Sequence, residues 1–343
     1  MSDTDKLSYL CTGQQTCHDT QGQPIDCADT GQDAEYGFGI ASPVPRFEIK
    51  ETLVEDRLTG LMWTQTANFA ELPLSWQEAL DFVQQMNIQQ QSGFSDWRLP
   101  NRRELRSLLN FHSTRPALPT GHPFKDVFPG WYWTSTTAAI NPAYAWYIRM
   151  DGARMFYGGK DQSYLVWPVR GKGNGILAVT GQQECYDTAG KHIECSATGQ
   201  DGEHQFGRDW PQPRFVTHDG YIVDCLTGLH WYRNANLSAE PINWLDALST
   251  VNKLNQQQKT HHWRLPNINE LESLVDCSQA NPALSRPVLF DDLQDTYWSS
   301  STSMYEPDWA WVLYLNKGAT GVGQKNIPHC FVWPVCSCNY SQL

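Results

Sequence analysis

The 343-residue chain has no run of eighteen apolar residues, so the sequence offers no helix able to span a bilayer. Positive charge is scarce: 25 Lys and Arg stand against 37 Asp and Glu, a formal net charge of −12. Non-specific attraction to nucleic acid or to an anionic membrane needs a basic face, so this balance argues against both as partners. The motifs of common reaction centres are also missing: there is no HExxH, GxSxG, P-loop or GxGxxG. The opening residues, MSDTDKLSYLC, are polar and carry no signal-peptide core. If the protein is exported, the expectation is a signal removed before this numbering begins.

Indole and thiol are abundant. The chain holds 15 Trp and 10 Cys, is 40% hydrophobic and only 18% charged, and so reads as globular with large aromatic groups to bury. Much of it is said twice. TGQQTC at 12–17 returns as TGQQEC at 180–185, RLTGLMW at 57–63 as CLTGLHW at 225–231, SDWRLPNRREL at 95–105 as HHWRLPNINEL at 261–271, and VWPV at 166–169 as VWPV at 332–335. A repeat of roughly 165–170 residues is far longer than the 20–50 of a solenoid, so each copy is expected to be a complete domain. The expected division is 1–173, with a Cys-containing preface at 12–50, and 174–343, with its preface at 180–220. The glycines of GKGNGI, 171–176, suit the linker.

Both copies share one order of elements. A polar, Gly-rich preface with two cysteines leads to a strand, TGLMW in the first copy. Trp76, Ala79, Leu80, Val83 and Met86 then recur at helical spacing behind a Ser75/Glu78 capping box, as do Trp244, Ala247, Leu248, Val251 and Leu254 behind Asn243. A second helix follows WRLP, capped by Asn101 or Asn267 with Glu104 or Glu270 three residues on. Arg98 and Arg264 are expected to tie this turn to a carboxylate or to carbonyls. Short aromatic and β-branched runs, WYWTSTT, YAWYIRM, RMFYGG and YLVWPV, read as strands. The fold class is α+β, each copy having two helices and a small, mostly antiparallel sheet.

With TGLMW, WQEAL, SDWRLPNRREL, YWTST and VWPVR in this order, the chain resembles the DUF1566 family, also called the Legionella-collagen-like (Lcl) C-terminal domain, over most of 52–170 and again over 220–335. The resemblance implies two tandem C-type-lectin-like domains, a fold related to the formylglycine-generating enzyme. It also implies exported proteins that work in adhesion or ligand binding; with no reaction-centre motif in the chain, the expected work is non-catalytic. A ligand would be a glycan, a surface protein or further copies of the chain. An alternative is a structural subunit of an extracellular appendage or fibre. An oxidase like the formylglycine-generating enzyme is a more distant alternative, matched only by Cys330 with Cys336 or Cys338.

Cys17/Cys27 and Cys185/Cys195 share one spacing. Zinc is the competing reading, but there is no CxxC knuckle and His18 becomes Tyr186 in the second copy, so a disulfide in each preface and a secreted or cell-surface location are expected. Cys11, Cys225, Cys277, Cys330, Cys336 and Cys338 are expected to pair in an order the sequence leaves open. If the first and last strands pair, as the lectin-like fold implies, Cys225 and Cys336 could meet.

Twelve Trp recur in both copies and are assigned to the cores. Candidate ligand-binding residues lie outside that set: Trp131; Asn141 and Tyr144 in the loop entering one strand; and Glu306, Asp308 and Trp309 in its counterpart. Glu306-Pro307-Asp308 is similar to the tripeptide through which calcium-dependent lectins hold metal and sugar, so calcium at Glu306 and Asp308 is the one cofactor the residues suggest. Arg102, Arg103 and Arg106 give the second helix of copy one a basic face that copy two lacks, where an anionic glycan would bind.

Overall fold

The computed structural model describes residues 9–258 and 261–337, so Cys338 lies outside the described residues. The chain divides into two compact units. The first-module unit is Ser42–Asp209 together with Asp276–Ala280; the second-module unit gathers the residues up to Ala41, Trp210–Val275 and those from Asn281 onward. The sequential division at 173/174 is thereby corrected. The module of copy one is completed by the preface of copy two, which follows it directly in the chain. The module of copy two is completed by the preface at the N-terminus.

Each module is mostly sheet with short helices. In the first, strands Phe47–Lys50, Leu53–Asp56, Leu61–Thr64, Val169–Arg170 and Trp97–Arg98 form one antiparallel sheet in that spatial order. Val169 stands opposite Trp63, so the two ends of the module meet. Trp131–Thr137, Tyr144–Arg149 and Met155–Gly159 pair antiparallel in sequence. The second module repeats this with Phe215–Thr217, Tyr221–Asp224, Leu229–Tyr232 and Val335–Ser337, and with Thr296–Thr302, Trp309–Tyr314 and Ala319–Gln324. The run YLVWPV yields only a short strand at Val169–Arg170. Pro168 has no N–H to give the ladder.

The helices, in chain order, are α1 (Asp33–Tyr36), α2 (Trp76–Ile88), α3 (Arg102–Ser107), α4 (Asp201–His204), α5 (Trp244–Gln257) and α6 (Ile268–Ser273). The single turns α1 and α4 lie in the prefaces, whose sequence shows no apolar period. The Ser75/Glu78 box caps α2 as its sequence demands, and Asn101/Glu104 and Asn267/Glu270 close the same boxes on α3 and α6. Near the ends of α2 and α5, Asn87 and Asn255 bond both the N–H and the carbonyl of Trp97 and Trp263, pinning the WRLP turn to the helix before it.

All twelve recurring Trp are buried, none more than 4% exposed. Several of their polar indole N–H groups are taken up by backbone carbonyls. Trp76 and Trp244 donate to the carbonyls of Thr134 and Ser299, and Trp133 and Trp298 to those of Leu74 and Ile242.

Cys17–Cys27 and Cys185–Cys195 are disulfides, each spanning ten residues. Closing such a loop stabilises the preface by about 2.5–3 kcal/mol in the chain-entropy model. Alkylation without prior reduction should leave these four sulfurs unlabelled by mass analysis, and Cys17→Ala with Cys27→Ala should lower the stability of the second-module unit by that amount. Cys336 stands opposite His230 in the ladder, not opposite Cys225, whose place is the turn after Asp224.

Candidate functional site

Each module carries a socket and each preface is a plug. The socket's floor is the WRLPN turn. Arg264 forms a two-point ion pair with Glu270, at 2.6 and 2.5 Å, and Arg98 does the same with Glu104 at 2.6 and 2.7 Å. The faces of these buried guanidinium groups receive the plug's aromatic ring: Phe38 lies 4.1 Å from Arg264 and Phe206 lies 4.6 Å from Arg98. The cap residue explains why Asn stands there. Its Oδ1 accepts from the helix backbone while its Nδ2 donates to the plug, from Asn267 to the carbonyl of Phe38 and from Asn101 to that of Phe206, 3.1 Å in both. Ser, Thr or Asp would cap the helix without supplying that amide donor.

The plug's repeated TGQ and TGQD phrases make the remaining contacts. Asp33 is fully buried and one of its carboxylate oxygens accepts from Thr12, within the plug, at 2.7 Å and from Ser301, in the socket, at 2.5 Å; Asp201 does the same with Thr180 and Thr136. Desolvation pushes both carboxyls up to about 6. Gln14 bonds both backbone groups of Thr302, and Gln182 sets its amide nitrogen 2.9 Å from the carbonyl of the equivalent Thr137.

A buried lysine completes each latch. Lys325 donates to the carbonyls of His18 and Asp19 at 3.2 and 3.1 Å and sits 4.2 Å over the ring of Trp244. Lys160 reaches the carbonyls of Tyr186 and Asp187, both at 3.2 Å, and lies 4.0 Å over Trp76. Burial pushes both ammonium groups down to about 7. Of the plug-holding residues, Gln14, Asp33, Lys160, Lys325 and their counterparts were not among the candidates the sequence offered. The signal was present nonetheless, since Gln14, Asp33 and the lysine after the "MFYGG" or "GVGQ" strand all recur in the other copy.

The loops expected to bind ligand touch the plugs instead. A Cβ on Gly22 would come 2.9 Å from the backbone nitrogen of Asp308, and one on Gly190 would come 2.7 Å from that of Ala143, so the tip of each preface hairpin lies against the 306–308 or 141–143 turn. Glu306, Asp308 and Trp309 are half-buried there, and among the described residues no third Asp, Glu, His or Cys joins Glu306 and Asp308 in a metal-sized cluster. Asn141 is exposed and its side chain accepts from the N–H of Ala143. Tyr144 is exposed beside Tyr157, whereas Trp131 packs on Tyr147 at the other end of the same strand pair, so the structure does not bring these residues together.

The basic face is corrected outright. Arg102, Arg103 and Arg106 are 0, 6 and 5% exposed. Helix α3 is six residues long, all buried, and so has no solvent side. Arg102 lies 4.0 Å over Trp146 and Arg106 5.0 Å over Phe111. The counterpart of Arg102, Ile268, is buried as well, so the difference between copies is one of interior packing and not of surface charge. A pocket lined by Tyr36, Phe38, Asn255, His262, Trp263, Arg264 and Ser337 measures about 90 Å³, well below the roughly 300–1,000 Å³ of small-molecule sites.

Two repeated modules, each closed by a disulfide-stapled segment and each retaining the WRLPN-x-x-E turn, define a tandem-repeat protein. Residues 52–170 and 220–336 match the Lcl C-terminal domain, and the chain belongs to that family. No curated protein matches the chain. Family membership and the two disulfides are compatible with a surface or extracellular protein, and among the described residues no helix is long and apolar enough to cross a membrane.

Proposed function

We propose that this is a non-catalytic extracellular protein of lectin-like modules whose sockets recognise disulfide-closed polypeptide plugs, and that it serves as a building block whose copies join by exchanging the N-terminal plug. One observation carries the reading: the segment completing the second module comes from the far end of the chain, across more than 160 intervening residues. A plug joined to the rest through a largely exposed connector at 41–45, with Pro43, Pro45 and a 97% exposed Val44, can equally fill the socket of another copy. Head-to-tail exchange then generates rings or fibres.

The loops that a glycan-binding lectin would use lie against the plugs, and the arginines that an anionic glycan would need are buried. The thiol of Cys330 is buried, bonded to Thr296 and pushed up to about 12, the reverse of the lowered value that a reactive cysteine needs. This supports the non-catalytic reading over the oxidase one.

Two full-length preparations with different affinity tags should form mixed-tag complexes after gentle warming and mixing. The yield should rise with concentration, with elongated particles in negative stain. Monomers at every concentration would overturn the assembly reading in favour of recognition of a glycan or surface protein, for which a glycan array with and without calcium is the next measurement.

A further inference from the structure

We propose that the second-module unit binds one zinc ion through His230, His261 and Cys336. The side-chain donors of these three residues lie within 4.8 Å of one another. Tetrahedral zinc with bonds of about 2.0–2.3 Å places its ligands roughly 3.3–3.7 Å apart, so closure needs side-chain shifts of about an ångström. Two imidazoles and a thiolate are a donor set suited to zinc, and three such protein donors leave one position for water.

The scaffold fixes these side chains. His230 and Cys336 face each other across the ladder between strands Leu229–Tyr232 and Val335–Ser337, which puts them on one face of the sheet. His261 enters from the loop before the WRLP turn. Its ring lies 5.2 Å from Trp263, inclined by 27°, and 4.8 Å from Tyr221, which in turn stacks on His230 at 4.9 Å. The rings brace one another in a row, so little rotamer freedom is left to lose on binding.

The other copy supplies the second line of argument. The equivalent positions hold Met62, Ser95 and Arg170. There Arg170 faces Met62 in the same register, its Nη1 3.4 Å from the Met62 sulfur, while its Nε donates to Asp96 at 2.8 Å and its guanidinium lies 3.5 Å over Phe94. The first module thus joins its last strand to the loop before WRLP with a covalently attached cation. The second module has lost that cation, and all three positions have become metal-ligating residue types. A dication held by all three would restore the same tie.

The test uses the full-length protein, freed of metal by a chelator and titrated with Zn²⁺ and with Co²⁺ as a spectroscopic probe. One equivalent of zinc should bind, and cobalt should show a thiolate-to-metal charge-transfer band with the visible bands of a tetrahedral site. Cys336→Ser should abolish the charge-transfer band, and His230→Ala or His261→Ala should weaken binding at least tenfold. The triple variant His230→Met, His261→Ser, Cys336→Arg installs residues that the first module already accommodates, and should fold while binding one equivalent fewer. Unchanged stoichiometry in the triple variant, no charge-transfer band in the parent protein, or Cys336 recovered in a disulfide would each overturn the proposal.

Discussion

Glu270→Ala is expected to destabilise the second-module unit by about 3–5 kcal/mol, the range for removing one partner of a buried ion pair. Glu270 is fully buried and Arg264 nearly so. Three losses coincide. The guanidinium keeps its charge but loses its hydrogen-bonded carboxylate, with Asp33 as the remaining nearby counter-charge. The carboxylate oxygen that accepts from the N–H of Asn267 disappears, and with it half of the capping box on α6. The Arg264 face that holds Phe38 is no longer fixed, so the plug loosens. Total stabilities of 5–15 kcal/mol make this a large fraction. Glu270→Gln keeps the volume and one oxygen and should cost less, while Glu104→Ala should repeat the large effect in the first-module unit. Urea unfolding at constant m-value, with limited proteolysis at the 41–45 connector, measures both. A loss below about 1 kcal/mol would mean that the pair behaves as a solvated surface bridge and that the floor of the socket is misassigned.

The same residues show what could be read from the sequence and what could not. Capping boxes, the α2 and α5 stripes, the core tryptophans and the preface disulfides follow from local rules, because each depends on neighbours within a few residues or on a spacing repeated in the chain. Which plug fills which socket is not a local property. Gln14 and Gln182, Asp33 and Asp201, Phe38 and Phe206 offer the same chemistry to sockets built from the same residues, so the sequence is degenerate between the two arrangements. Chain connectivity, not side-chain pattern, decides between them. The three arginines of α3 were misread for a different reason. A helix of under two turns has too few residues for a period to separate an inner face from an outer one, and charge alone then suggests exposure. The His230, His261 and Cys336 cluster was missed because its members are far apart in sequence and are meaningful only when set beside Met62, Ser95 and Arg170.

Stability should rise steeply as pH increases from about 7 towards 10, contrary to the plateau or decline expected of an ordinary protein. Lys160 and Lys325 sit at about 7 in the folded chain against an ordinary value of 10.5. Between those limits the unfolded chain binds more protons than the folded one, so raising the pH favours folding. At 1.36 kcal/mol for each pH unit, the gap is on the order of 5 kcal/mol per lysine. On the acid side the sign reverses. Asp33 and Asp201 stand near 6 when folded and 3.8 when free, so the folded chain binds more protons in that window and their contribution is lost as pH rises through it. The two effects leave the plugs held least tightly between about pH 6 and 7, where the carboxylates and the lysines are both charged in their buried sites. Lys160→Met with Lys325→Met should flatten the alkaline rise, although it leaves the carbonyls of His18, Asp19, Tyr186 and Asp187 without their donor and so lowers the plateau. Denaturation midpoints across pH 5–10 for the parent and the double variant separate these contributions. A parent profile that is flat between pH 7 and 10 would show that the ammonium groups keep their solvation, and that the lysines are not sealed beneath the plugs.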